Sequence, residues 1–87
     1  MAEITVRPSG EGRFEVRVEE DGSSTEHEVT VSAEDLERLG SGRTPETFVR
    51  DCFEFLLARE PKESILRSFD VSAIGRYFPA FEREIVR

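Results

Sequence analysis

Two residues in this 87-residue chain have side chains suited to acid–base or nucleophilic work, His27 and Cys52, and each is the single example of its type. A lone imidazole with no thiol beside it in sequence cannot assemble the several nitrogen and sulfur ligands of a usual zinc site. Alternation puts His27 on the apolar side of Thr25–Ser32, next to Val18 near a hairpin tip. That position predicts a rim histidine without a catalytic role. Cys52 stands between Asp51 and Glu54, acids that disfavour a thiolate, and within an apolar helical arc. A cysteine in that setting packs as a small hydrophobe, and as the single cysteine it excludes an intramolecular disulfide. Glu54, Glu60 and Glu63 lack the histidine or dense acidic loop that a metal site adds. Asp21-Gly22 lacks the further acids of a calcium loop. Gly10 and Gly12 are followed by a strand pattern, which is not the setting of a dinucleotide loop. No catalytic, cofactor-binding or metal-ligating residue is assigned on this reading, and no cofactor. The expectation is a protein that is not an enzyme.

Two stretches carry chemistry suited to a macromolecular partner. Gly75–Phe81 concentrates three rings, a glycine and a proline in seven residues. Arg76, Tyr77, Phe78 and Phe81 are therefore the candidate partner-binding residues. Ser64–Phe78, SILRSFDVSAIGRYF, reads as helix, turn, second helix, with Arg67 and Arg76 as candidate nucleic-acid contacts. Against the second reading, Gly75 interrupts the second helix, Pro79 stops it, and the chain has no Asn or Gln for adenine readout.

Charge sharpens this contrast. Twelve Lys and Arg against nineteen Asp and Glu leave a net charge of −7. Residues 1–43 carry five Arg against eleven acids, and residues 44–87 carry seven bases against eight acids. An acidic first half disfavours phosphate binding, which needs clustered positive charge. No apolar run is long enough for a membrane span. The opening MAEITVRPSG lacks the basic and apolar regions of a signal peptide, so a cytoplasmic location is expected.

The elements that position these residues follow from periodicity. Glu3–Arg7, Arg13–Glu20 and Thr25–Ser32 alternate apolar and polar residues as half-buried strands. Pro8–Gly12 reads as a loop. A two-residue Gly22-Ser23 turn would set Val16 opposite Val29, Phe14 opposite Val31 and Val18 opposite His27. In the first hairpin, Arg7 opposite Arg13 would set Val6 beside Phe14 and Ile4 beside Val16. Ser32 caps a short helix that Gly40 ends.

Thr44–Arg59, TPETFVRDCFEFLLAR, is the best-specified helix, with Thr44 as its cap and Pro45 at its first position. Its apolar residues cover roughly 200° of the helix surface, twice the width of an ordinary one-sided stripe. A helix this apolar needs cover on two sides, and a homodimer is one way to provide it. Lys62–Phe69 reads as a short amphipathic helix, Asp70 as a further cap, and Phe81 and Ile85 as one face of a last helical turn.

The span Phe48–Glu82, FVRDCFEFLLAREPKESILRSFDVSAIGRYFPAFE, is similar to an uncharacterised group of small bacterial proteins. They share an F-L-L-x-R-E-P-x-x-S-I-L run leading into F-D-x-S-x-I and Y-F-P. That resemblance implies no activity and transfers no site residue. A three-strand meander followed by helices is also similar in topology to HicB-type antitoxins, and topology alone carries no function.

The expected fold is α+β: a three-stranded antiparallel β-meander at the N-terminus, packed on one face by a central helix and short C-terminal helices. The whole of 1–87 forms one domain, with the meander over 1–32, a short helix at 33–40, the central helix at 44–60 and short helices over 62–87. The expected function is a non-catalytic protein-interaction or regulatory module with an unknown protein partner. The alternative is a nucleic-acid-linked, antitoxin-like regulator.

Overall fold

Thr44 and Pro45 fix the start of the helix around which the other elements are arranged. In the computed structural model, which describes residues 2–86, this helix runs Pro45–Leu57. The Thr44 hydroxyl accepts from the Thr47 backbone N–H at 3.2 Å, satisfying one of the unpaired donors of the first turn. Phe48, Val49, Cys52, Phe53, Phe55 and Leu56 are all buried. The wide apolar arc is thus covered by the chain itself. We label this helix α2, after α1 (Ala33–Leu39), whose cap Ser32 accepts from the Asp35 N–H at 3.0 Å.

One side of that cover is a sheet of strands β1 (Glu3–Gly10), β2 (Arg13–Glu20), β3 (Ser23–Thr30) and β4 (Ser68–Asp70), in the order β1-β2-β3-β4. The first three form the antiparallel meander expected. The fourth, parallel to β3, is a correction to the three-stranded expectation. Lys62–Phe69 is not an amphipathic helix. A single 3-10 turn spans Lys62–Ser64, and the chain then extends along β3. Ile65 and Leu66 at adjacent positions fit a helix face and a bent strand equally well, so periodicity could not choose between them.

The hairpins also differ in register. Phe14 lies opposite Val29, Val16 opposite His27 and Val18 opposite Thr25, two residues from the expected pairing. Asp21 and Gly22, with φ of 56° and 79°, make the turn. Two positive φ values in succession give the twist that a two-residue hairpin needs. Because the offset is two, every side chain keeps its face and the core is unchanged. On the charged face the offset sets Arg17 against Glu26 at 3.3 Å and Glu15 against Glu28. The first hairpin shifts likewise, with Val6 opposite Val16 and Ile4 opposite Val18. Pro8 lies within β1, where an edge strand tolerates its missing N–H, and a register shift follows between Pro8 and Gly10.

The second side of the cover comes after β4. A 3-10 turn (Val71–Ala73) leads into α3 (Ile74–Tyr77), and α4 (Phe81–Ile85) closes the core. The last residue of the expected C-terminal helical segment, Arg87, lies outside the described residues. Arg43 ties these parts together. Its guanidinium donates to Asp51 Oδ2 at 2.7 Å, to the Leu39 and Gly40 carbonyls at the end of α1, and to the Ile85 carbonyl of α4. Among the described residues no helix is long and apolar enough to cross a membrane.

Candidate docking groove beside the fourth strand

Pro61 forces the chain out of helical geometry after α2, and the 3-10 turn that follows redirects it along β3. Ile65 is buried and anchors the approach. Leu66 then passes beside His27, whose Nδ1 lies 2.7 Å from the Leu66 carbonyl. A carbonyl only accepts, so Nδ1 carries the proton, and in the neutral ring Nε2 accepts from the Thr25 hydroxyl at 2.8 Å. The ring packs against Phe53, centroids 5.3 Å apart. Held in this way, the backbone leaves the Leu66 side chain on the surface, 51% exposed.

Phe69 returns to the inner face, opposite Val29 and 5.9 Å from the Phe53 ring. Asp70 then fixes the exit from β4. It accepts from the Thr30 hydroxyl at 2.7 Å and the Ser72 N–H at 3.0 Å, as its expected capping role requires. Burial raises its pKa, but those hydrogen bonds and the charge of Arg76 outweigh it and hold the carboxyl below the usual value. Past that cap, Val71 and Ile74 are buried while Tyr77 is 69% exposed.

Between β4, α3 and the end of α2 lies a groove of about 330 Å³. Leu66 and Phe69 form one wall, Ala73, Ile74, Tyr77 and Phe78 the other, and Leu56, Glu60, Ser64 and Ile65 complete it. Phe78 is held edge-on to Phe55 at 5.9 Å. Among the described residues Glu60 is the groove's one charged residue, half-buried. Its carboxylate makes no hydrogen bond or ion pair among the described residues. Among the described residues β4 is the last strand of the sheet, so the groove borders a sheet edge.

The residues expected at a partner surface divide accordingly. Tyr77 and Phe78 line the groove, and Arg76 is exposed on α3. Phe81 is fully buried, edge-on to Phe55 at 5.1 Å, and belongs to the core. Leu66, Phe69 and Glu60 are groove residues that the sequence did not single out. Leu66 and Phe69 were hidden by the helical reading of Lys62–Phe69, and Glu60 was weighed only with Glu54 and Glu63 as a metal-site carboxylate and set aside.

Arg67 and Arg76 do not share a two-helix unit. Across Ser64–Phe78 the described residues form a strand, a 3-10 turn and a four-residue helix, too short to fill a DNA groove as a recognition helix does. Arg67 reaches the outer sheet face, in a hollow lined by Arg7 and Arg17 and by Glu15, Glu26 and Glu28. Arg7 and Arg17 are paired with Glu15 and Glu26, so the three arginines are matched by three carboxylates and leave no net positive charge for a phosphate.

The chemistry-bearing residues are engaged elsewhere. His27 is 4% exposed, with both ring nitrogens facing groups of its own chain. Cys52 is 1% exposed, and burial pushes its thiol up to about 12, which outweighs the opposing charge of Arg43. Among the described residues no three His, Cys, Asp or Glu side chains gather as metal ligands. In comparison with known proteins, the chain matches no family model, no curated protein and no solved structure.

Proposed function

We propose that this chain is a small non-catalytic interaction module that engages a protein partner through the groove beside β4. The observation that carries this reading is the exposure of Leu66 and Tyr77 in one concave, otherwise apolar site. Apolar residues exposed singly are ordinary on a monomer, whereas here two large ones line one concave site together. The charge distribution supports the same place. From Glu60 to Phe78, Glu60, Glu63 and Asp70 balance Lys62, Arg67 and Arg76, while the chain as a whole stands at −7. Among the described residues lining the groove only Glu60 is charged, so most of its wall is covered without desolvating a charge. A cytoplasmic setting suits a chain whose one thiol is buried and unpaired.

Panning a random-peptide display library against the immobilised protein tests this reading. Leu66 and Tyr77 are exposed, so a Leu66→Asp/Tyr77→Asp variant keeps the fold, which its circular dichroism melt verifies. Enriched peptides should bind the wild type and lose roughly tenfold or more in affinity for the variant. Failure to enrich any peptide, or equal binding to both proteins, would remove the proposal. The nucleic-acid alternative has no comparable observation in its favour.

A further inference from the structure

We infer that the groove's partner is an extended segment carrying one large apolar anchor and a lysine or arginine on the same face. This inference rests on the groove being a docking surface, and adds what docks there. Glu60 is the decisive residue. Of eight Asp and Glu after position 43, it is the one set into an apolar groove, and it has no partner within its own chain among the described residues. Three other carboxylates of this half are committed, Glu63 to Lys62 at 2.7 Å, Glu82 to Arg38 at 2.8 Å and Glu84 to Arg59 at 2.6 Å, and none of them lines the groove. A carboxylate beside apolar walls gains more from a cation than one in open water, because the local dielectric is lower.

The backbone sets the conformation of the bound segment. The open border of the groove is a strand edge, and an extended chain is what pairs with a strand edge. In an extended segment, residues two apart share a face. A cation two residues from the anchor would thus point to the same wall as the ring that fills the space between Leu66 and Tyr77. The net charge of −7 favours a basic partner at long range and disfavours a second copy of this chain, which would bring a further −7.

The test uses a fluorescein-labelled peptide, Thr-Lys-Val-Phe-Val-Lys-Thr, in which both lysines lie two residues from the phenylalanine. A second peptide replaces the lysines by norleucine. Fluorescence anisotropy follows binding of each to wild-type protein and to Glu60→Gln, with light scattering at the same concentrations. The lysine peptide should bind the wild type roughly two- to fivefold more tightly than the norleucine peptide. Raised salt should shrink that preference, and Glu60→Gln should abolish it. Equal binding of both peptides to the wild type would overturn the cationic requirement and leave the groove as a docking surface. Binding of neither peptide to a monomeric protein would overturn both readings. Binding of neither to a protein that scatters as a dimer would overturn the inference in favour of a second copy as the occupant.

Discussion

At the scale of single residues, this protein uses its polar side chains as fasteners. His27 clamps the approach to β4 by holding the Leu66 carbonyl, and Asp70 clamps the exit by holding Thr30 and Ser72. Asp70 has a pH signature. Its folded pKa lies below the ordinary value for an aspartate, so the charged form is the one the fold prefers. The stability it contributes is complete above its unfolded pKa, and is lost as pH falls through the folded one. Urea unfolding of wild type and Asp70→Asn should therefore show a clear deficit in the variant at neutral pH, narrowing as pH drops below about 4. A gap independent of pH would mean that the carboxylate is not the clamp. Neither residue was legible as a clamp beforehand. Asp70 was visible as a cap from its place before Val71, but the Thr30 and Leu66 partners are forty and thirty-nine residues away from Asp70 and His27 in sequence. Contacts of that span leave no local pattern.

At the scale of elements, the part of the fold with a strong period was legible and the part without one was not. The alternation of RFEVRVEE and the cap and proline of α2 each admit one structure. The three residues of β4 are too few to show a period, and they pair with β3 only after α1 and α2 have brought the chain back. The hairpin registers show a second kind of limit: alternation fixes faces, whereas turn chemistry fixes pairing. Two glycines probe those turns separately. Gly22 has φ +79° and open space around the position of a Cβ, while Gly12 has φ +68° and would place a Cβ 2.9 Å from the Val31 carbonyl oxygen. Gly22→Ala should cost about 1 kcal/mol, the usual penalty for a left-handed alanine. Gly12→Ala adds a steric clash and should cost about 2 kcal/mol or more by urea melts. Equal penalties would indicate that the first turn does not pack on Val31.

At the scale of the whole molecule, the chain separates a charged, solvated sheet face from a mostly apolar groove, with Glu60 as its charged residue, on the opposite side of β4. Arg7–Glu15 and Arg17–Glu26 lace the outer face, both pairs at 3.3 Å and well exposed, so they lend solubility more than stability. The wide apolar arc of α2 is an internal scaffold, with six of its residues buried and Leu57 half-buried against the core. What lies open is the groove. Nitrogen-15 correlation spectra of the wild-type protein, titrated with a peptide enriched by panning, test that claim most directly. Shifts should concentrate at Glu60, Leu66, Phe69 and Tyr77, with the outer-face residues Glu15, Arg17 and Glu26 unmoved. Shifts centred on the outer face, or spread evenly over the protein, would contradict it.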